Sequence, residues 1–516
     1  MPAEFAPHHG TVMIFPVRPG SWGVQPDAAQ RAFAEIAARL SQCEQVYMLV
    51  DDRTEAAARA LLPESVRLLH IETDDSWARD TAPTFVRNRD GEIRGVSWKF
   101  NAWGGDFDGL YPDYQHDDAV AEAVCGALGV SCFDARPFVL EGGAIHTDGE
   151  GTVLVTEACL LSKGRNPAMT KEEISAYLCE YLGAEKVVWI PYGIYNDETN
   201  EHIDNIAAFT APAEIVLGWC DDASDPQYAM CRADYEVLSK ETDAKGRRFR
   251  IVKLPVPSAP VCVTAEECGA YCFSEGEDTR EPGERLAASY VNFYIGNDCA
   301  LVPQFGGAFA ADDARALRIL RGCLRGREVV PVSARSILLG GGNIHCITQQ
   351  VPAGRIAAEI RPLRQSEIPL LRDFLYDAIY IPAGAEPPDP AILEQPDLQV
   401  YLRDFGGSPH DRALAAEYRG RIVGAVWTRI MDDYGHLDDE TPSLAIAVAA
   451  GFRGYGIGTA LMRGMLRLLE QAGYARLSLS VQKENRAAKL YLRLGFEIVR
   501  TSDEEYFMEY RFGSAR

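Results

Sequence analysis

Leu339-Gly-Gly-Gly-Asn-Ile-His345, with Cys346 after it, repeats the earlier stretch Leu140-Glu-Gly-Gly-Ala-Ile-His146 in five of seven positions. The match sets Cys346 where Thr147 stands in the first copy. Loops that recur in repeated supersecondary units face one centre, so the two stretches are expected to meet inside a fold built by repetition. The surrounding chain supplies such a unit. From residue 40 to about 350 short β-branched runs recur, among them QVYMLV (45–50), TVLVTEACLL (152–161), KVVWIP (186–191), YVNFYIG (290–296) and EVVPVS (328–333). Polar turns and Ala- and Glu-rich helical stretches separate them, and that alternation reads as α/β.

Past Val351-Pro-Ala-Gly354 the texture changes. A new strand and helix lead to a hairpin, LAAEYRGRIVGAVW (414–427), then to a glycine-rich loop and a long amphipathic helix. The boundary is expected near 353–357, giving domains 1–354 and 355–516. The Pro-rich stretch 381–396 reads as a surface loop inside the second domain, with a linker as the alternative.

The 516 residues carry 51 Lys and Arg against 75 Asp and Glu, a formal charge of −24. Residues 356–516 hold 19 of those cations and 23 of those acids, a net −4, which leaves −20 on residues 1–355. That balance excludes nucleic acid and anionic membranes as main partners and favours small cationic ones. The chain also exceeds the size at which single cores stop growing, in keeping with two domains. No apolar run of about 18 residues occurs, and MPAEFAPHHG has neither a basic segment nor an apolar one, so a cytoplasmic protein is expected. Thirteen Cys without a CxxC pair read as reduced thiols, and no zinc site is expected. A homo-oligomer is left open.

Nine His narrow the search for a base beside a reactive thiol. His345 adjoins Cys346, but strand neighbours point to opposite faces, which makes it a poor base. In Glu198-Thr-Asn-Glu-His202-Ile-Asp204-Asn-Ile-Ala-Ala-Phe209 polar residues run into an apolar strand, and His202 and Asp204 are expected to share one face. A His beside a carboxylate suits proton transfer, although a His satisfied at a strand end has the same sequence. Thr73-Asp-Asp-Ser-Trp77-Ala-Arg79-Asp80 sets an indole beside carboxylates. That pattern fits a slot for a planar cation, or an exposed turn with an Arg–Asp pair. Glu141 either orients His202 or caps its own turn.

Together these segments resemble the agmatine deiminase family. MPAEFxPHxGTxM, DSWARDTxPTF, FNAWGG, LEGGxIHxDGEGT, DETNxHxDN and GGGNIHCITQQxP stand in order across residues 1–353. The resemblance implies a five-bladed α/β propeller, the pentein fold. It also implies hydrolysis of agmatine to N-carbamoylputrescine and ammonia, on the way to putrescine, without metal or cofactor. By the same resemblance Cys346 is the nucleophile and His202 the acid and base, while Asp80 and Asp204 clamp the guanidinium. Glu141 supports His202, Trp77 walls the slot and Glu198 meets the distal ammonium. Three residues depart from the family pattern: His9 replaces Glu, Ala82 replaces Gly, and Glu201 replaces the Gly before His202. Glu201 is expected to be tolerated, pointing away from His202.

Residues 443–459, SLAIAVAAGFRGYGIGT, run from a strand into a glycine loop and then a helix. Glycines at such a turn free backbone N–H groups for a pyrophosphate at the positive helix end. With LSLSVQKENRAAKLYLRLGFEIV after it, the segment resembles the GNAT acetyltransferases over residues 356–512. The resemblance implies a mixed-sheet domain that binds acetyl-CoA through Val448, Arg453, Gly454, Gly456, Gly458, Thr459 and Asn485, with Tyr491 as proton donor. Tyr491 also reads as core, being at helical spacing from Ala487, Ala488 and Leu494. Arg463, Arg467, Lys483, Arg486 and Lys489 enrich this region in cations, and the acetyl acceptor is unassigned. Alternatives are an amidinotransferase or peptidyl-arginine deiminase in front, and a non-catalytic acetyl-CoA sensor behind.

If the acidic first domain steers a cationic substrate inward, kcat/KM for agmatine falls as salt rises. A salt-insensitive second-order rate constant, measured by ammonia release, counts against steering.

Overall fold

The computed structural model describes residues 1–513 apart from 356–357, 382–387, 419, 450–451 and 486. Contacts divide the chain into two compact units, Met1–Ala353 and Gly354–Arg516.

The first unit is closed by its own ends. β1 (His8–Ile14) runs parallel to β2 (Gln45–Val50), and β2 parallel to β3 (Arg67–His70). The other edge of β1 pairs antiparallel with Gln349–Pro352, with Thr11 opposite Gln350 and Val12 opposite Gln349.

Four three-stranded sheets lie between these ends. They are β4 (Thr84–Arg87), β5 (Ile93–Lys99) and β6 (Ser131–Val139); then β7 (His146–Thr147), β8 (Thr152–Thr156) and β9 (Lys186–Ile190). Next come β10 (Ala207–Ala211), β11 (Glu214–Trp219) and β12 (Arg250–Pro255), and last β13 (Tyr294–Ile295), β14 (Cys299–Gln304) and β15 (Glu328–Ser333). In each the first pair is antiparallel and the second parallel. Gln349–Pro352, β16, completes the first sheet.

Parallel neighbours need a long crossover, and a helix supplies one each time. The helices are Asp27–Leu40, Glu55–Leu61, Gln115–Leu128, Lys171–Leu182, Gln227–Lys240 and Ala310–Cys323. Lys171–Leu182 shows why the sequence stops and starts there. Thr170 and Glu173 form a reciprocal capping box, Ile174, Leu178 and Leu182 bury one face, and Gly183 ends the helix at φ +63°.

Three local expectations change. TVLVTEACLL is a strand only to Thr156, whose hydroxyl then accepts the Cys159 N–H and caps the helix Glu157–Leu160. YVNFYIG contributes only Tyr294 and Ile295 to a strand. Ile203–Asn205 is a 3-10 turn ahead of β10, so His202 and Asp204 do not share a strand face. The cause is Asp197, whose carboxylate accepts the N–H groups of Thr199 and His202 and the side-chain amide of Asn205, folding the segment on itself.

The second unit is one seven-stranded mixed sheet. Its strands are β17 (Glu359–Pro362), β18 (Arg412–Tyr418), β19 (Arg421–Arg429), β20 (Ser443–Val448), β21 (Arg476–Gln482), β22 (Glu497–Thr501) and β23 (Glu505–Arg511). They lie in the order β17-β18-β19-β20-β21-β23-β22. Among the described residues only β20 and β21 run parallel as neighbours, meeting at Ser443 and Ser478. The helix Ile457–Gln471 buries Ile457, Leu461, Met462, Met465 and Leu469 on the face an amphipathic helix turns to its core. Of the Pro-rich stretch 381–396, residues 382–387 lie outside the described residues, and Pro390–Glu394 forms a 3-10 turn. Among the described residues no helix is long and apolar enough to cross a membrane.

The closing sheet is tight at Gly10, where a Cβ meets the Gln45 carbonyl oxygen at 2.2 Å. Gly10→Ala is therefore expected to destabilise the first unit by about 2–3 kcal/mol, read as a lower midpoint in chemical denaturation.

Candidate active site

The two repeated stretches meet: the rings of His146 and His345 stack with centroids 6.0 Å apart. Beside them a pocket is lined by Trp77, Asp80, Trp103, Glu198 and Cys346, together with Glu277–Arg280.

Cys346 is 7% exposed. Its sulfur lies 3.3 Å from the Asn292 side-chain nitrogen and 3.8 Å from Asp204 Oδ2. Burial and the charges of Asp204 and Asp80 push the thiol well above its ordinary range, against the hydrogen bond from Asn292.

Asp204 uses Oδ2 to bind His345 Nδ1 at 2.8 Å, while its buried Oδ1 has no hydrogen-bond partner. Burial opposes its charge, but the hydrogen bond and charge of His345 prevail and hold the carboxyl below the usual carboxylate range. The other nitrogen of His345 binds Glu4 Oε2 at 2.8 Å, and Arg79 Nη2 donates to the same oxygen at 3.1 Å. Burial and Arg79 favour a neutral ring, yet Glu4 and Asp204 outweigh them and raise the His345 pKa. Both ring nitrogens are engaged by carboxylates, so His345 is not placed as a base for Cys346.

Asp80 accepts the Gly143 N–H at 2.8 Å and the Trp103 indole N–H at 2.9 Å. Burial lifts its carboxyl to about 6, with His202 opposing and Asp204 and Glu141 adding. His202 stands between two carboxylates, its Nδ1 3.9 Å from Asp80 Oδ2 and its Nε2 3.6 Å from Glu141 Oε2. Burial disfavours its charge, but Asp80, Cys159 and Glu141 raise its pKa well above the ordinary value. Glu141 faces Arg165 as well, at 2.8 Å from Nε. The buried pair therefore keeps one carboxylate neutralised behind His202.

Glycine makes this convergence fit. A Cβ on Gly143 lies 2.6 Å from His202 Nδ1, 2.9 Å from Asp80 Oδ1 and 3.1 Å from Asp204 Oδ2. One on Gly342 lies 2.4 Å from the Trp77 ring and 3.1 Å from Cys346 Cβ. Trp77 itself donates its indole N–H to Asp75 at 3.0 Å and packs on Trp22.

Glu198 does not stand free for an incoming ammonium. Arg280 grips both its oxygens, Nη2 to Oε2 at 3.0 Å, and also donates to the Leu339 carbonyl. Glu201 adopts φ +68°, the backbone region that favours glycine, and turns its carboxylate to the Gly193 N–H at 2.7 Å. This conformation accounts for the Gly expected there.

Sequence reasoning missed Glu4, Arg79, Trp103, Arg165 and Asn292 as parts of the site. Asn292 had a signal, an amide inside the apolar run YVNFYIG; Trp103 had one in FNAWGG. Their backbones are telling too, since Ala102, Trp103, Asn200 and Glu201 all have positive φ on loops reaching the pocket. Arg165, in a polar loop, had none.

Two trios, Glu4 with His146 and His345, and Glu141 with Cys159 and His202, bring ligand atoms within 4.8 Å of one another. Arg79 on Glu4 and Arg165 on Glu141 set a fixed cation beside each trio, and like charge opposes a metal ion there.

In the second unit Gly454 and Gly456 take φ +86° and +81°, and Gly456 opens the helix Ile457–Gln471, with Gly458 and Thr459 in its first turn. Arg453 does not extend freely: it donates to the carbonyls of Val448 and Asp377 at 2.8 and 2.9 Å. The Asn485 side chain accepts the Ala487 N–H at 2.9 Å. Tyr491 is buried, its ring 5.8 Å from Phe496, and burial pushes its phenol up, keeping the proton on. Arg486 lies outside the described residues.

Because Gly143 has no room for a side chain, Gly143→Ala is expected to cut turnover by at least about 10²-fold through displacement of His202 and the aspartates. An unchanged circular dichroism spectrum shows that the fold persists.

Comparison with known proteins bears on this geometry. A family model described as Porphyromonas-type peptidyl-arginine deiminase matches residues 1–352, and one described as the acetyltransferase (GNAT) family matches 379–496. A Selenomonas ruminantium protein provisionally named agmatine deiminase is 57% identical over 357 residues, 68% of this chain and 95% of its own. One from Latilactobacillus sakei, named likewise, is 48% identical over 355 residues, 69% of this chain and 96% of its own. The solved agmatine deiminase of Enterococcus faecalis is 42% identical with a TM-score of 0.66, covering 68% of this chain and 95% of its own. The chain belongs to the Porphyromonas-type peptidyl-arginine deiminase family, on its agmatine deiminase side, and carries a GNAT-family acetyltransferase domain behind.

Proposed function

We propose that residues 1–354 hydrolyse agmatine to N-carbamoylputrescine and ammonia, and that residues 355–516 transfer an acetyl group from acetyl-CoA to an amine. The observation that carries the first reading is the buried, unpartnered Oδ1 of Asp204, on a carboxylate 3.8 Å from the Cys346 sulfur. A buried acceptor left open beside a thiol wants a donor, and a guanidinium brings several in one plane. A guanidinium resists attack because its charge is spread; Asp204 and Asp80 bind its N–H groups and hold its carbon before the sulfur.

As the cation binds, the Cys346 thiol gives its proton to solvent; the sulfur then bonds to that carbon, one carbon–nitrogen π bond breaks, and a neutral tetrahedral adduct results. His202, held protonated among Asp80, Cys159 and Glu141, passes a proton to one nitrogen, which leaves as ammonia. Water then attacks the resulting amidino-thioether and gives one proton back to His202; the carbon–sulfur bond breaks as the new hydroxyl passes its proton to the sulfur, releasing the ureido product and restoring the thiol. Trp77 walls the slot. Glu198 meets the distal ammonium while sharing its carboxylate with Arg280, so the far end of the pocket is less negative than Glu198 alone makes it. The product keeps a primary amine and a ureido group, so hydrolysis of the latter yields putrescine.

The test is colorimetric detection of a ureido product from agmatine. Cys346→Ser is expected to lose about 10³-fold or more in kcat, and equal rates for the two proteins overturn the reading. A second expectation concerns the thiol. With its pKa raised, Cys346 of the free enzyme is mostly protonated at neutral pH, because a raised pKa means deprotonation only above the ordinary thiol range. Its alkylation by iodoacetamide is therefore slow at pH 7 and climbs with pH beyond 9; a plateau below pH 8 contradicts this.

For the second unit, the glycine loop with positive φ at the start of Ile457–Gln471 supports pyrophosphate binding by backbone N–H groups from Val448 to Thr459. Arg453 braces that loop, Asn485 lies beside the cofactor, and Tyr491 protonates the departing CoA thiolate. Tyr491→Phe is expected to lower acetyl transfer to a small amine by about 10–100-fold with acetyl-CoA binding kept. Loss of binding by calorimetry instead assigns Tyr491 to packing.

A further inference from the structure

Cys43 and Cys299 lie 256 residues apart in sequence with their sulfurs 3.8 Å from each other, and neither takes part in the chemistry above. Cys43 follows the helix Asp27–Leu40 and is partly exposed; Cys299 opens β14 and is 8% exposed. Their surroundings are closely hydrogen-bonded. Glu44, next to Cys43, accepts the Asn297 N–H at 2.8 Å, and Asn297 exchanges hydrogen bonds with the backbone of His8 at 2.8 and 3.0 Å. The ring of His8 binds the Glu4 carbonyl at 2.6 Å, on the residue that holds His345. The two thiols therefore sit at the outer end of a hydrogen-bonded seam that runs to Asp204 and Cys346.

We propose that Cys43 and Cys299 form a peroxide-responsive dithiol, an oxidation site separate from the catalytic cysteine. The reaction balances with one hydrogen peroxide. The Cys43 thiolate sulfur attacks one peroxide oxygen, the O–O bond breaks, and the departing hydroxide takes a proton to become water. The Cys299 sulfur then attacks Cys43 sulfenic acid, the S–O bond breaks, and hydroxide leaves with the Cys299 proton as a second water. Two electrons pass from the thiols to the peroxide, and a disulfide remains for cellular thiols to reduce. The order follows from access and hydrogen bonding. Cys43 is the more exposed of the two, and a hydrogen bond from Cys299 favours its thiolate and raises the Cys299 thiol in return. Cys346, buried among carboxylates, is disfavoured as a thiolate. Two other thiol pairs, Cys125 with Cys132 and Cys220 with Cys231, serve as internal comparisons.

Full-length protein is titrated with hydrogen peroxide, alkylated, and mapped by peptide mass spectrometry without reduction. The expected result is a linked Cys43–Cys299 peptide, lighter by two hydrogens than its parts, at lower peroxide than any oxidised Cys346, and reversed by dithiothreitol. In Cys299→Ser, Cys43 is expected to stop as a sulfenic acid trapped by dimedone; in Cys43→Ser, Cys299 stays a free thiol. The proposal is overturned if both wild-type residues stay alkylated as free thiols while Cys132 or Cys346 oxidises. It is equally overturned if Cys43 links to another cysteine, or if neither reacts at any peroxide concentration. The wild-type map decides these outcomes even where a variant fails to fold.

Discussion

Buried negative charge is the constraint on which the first unit depends. Asp80, Glu141, Asp204 and Glu4 are each under 8% exposed, and carboxylates so placed need partners or protons. The chain answers each differently. Arg165 takes Glu141; Arg79 and His345 take Glu4; His345 also takes one oxygen of Asp204. Asp80 accepts hydrogen bonds from two neutral N–H groups and has His202 only at 3.9 Å, and burial lifts its carboxyl to about 6. What is left over, a raised Asp80 and one open oxygen on Asp204, is a hole shaped in charge for a planar cation. An enzyme that must bind a delocalised cation and then attack it has use for carboxylates that the protein itself leaves incompletely satisfied.

The same need explains features of the fold. Glu4 belongs to the first residues of the chain and reaches the site only because β1 lies against β16, next to the segment that carries His345 and Cys346. Gly143 and Gly342 hold no side chain because a carboxylate cluster and an indole already occupy the space. Trp103 and Glu201 accept left-handed backbone on loops around the pocket, a local strain that surrounding hydrogen bonds to Asp80 and Gly193 oppose.

The α/β class was legible in the sequence, because β-branched runs alternating with amphipathic helices leave few other architectures, and the recurrence of Leu-x-Gly-Gly-x-Ile-His told of repetition. The thiol, His202 and the aspartates were legible as residue types in motif order. Less visible were groups whose role lies in a contact far along the chain: Glu4, Arg165 and Asn292 act on partners 341, 24 and 54 residues away. Periodicity says nothing of such pairings. The 3-10 turn at Ile203–Asn205 was hidden for another reason: Asp197 overrides the strand tendency of the apolar residues after it. Glu198 was legible as a carboxylate, but its sharing with Arg280, 82 residues along the chain, was not.

The pairing of β1 with β16 also has a consequence in time. During synthesis β1 emerges first, and its partner strand is made only some 340 residues later, which at typical translation rates of about 5–20 residues per second is roughly 20–70 s. For that interval β1 presents an open edge of His8–Ile14 to other nascent chains, the kind of edge that invites intermolecular pairing. The unit fused behind lengthens the chain just past β16, so the closing strand leaves the ribosome while synthesis continues. The first unit can then pair β1 with β16 before the chain is released, with the second unit still being made.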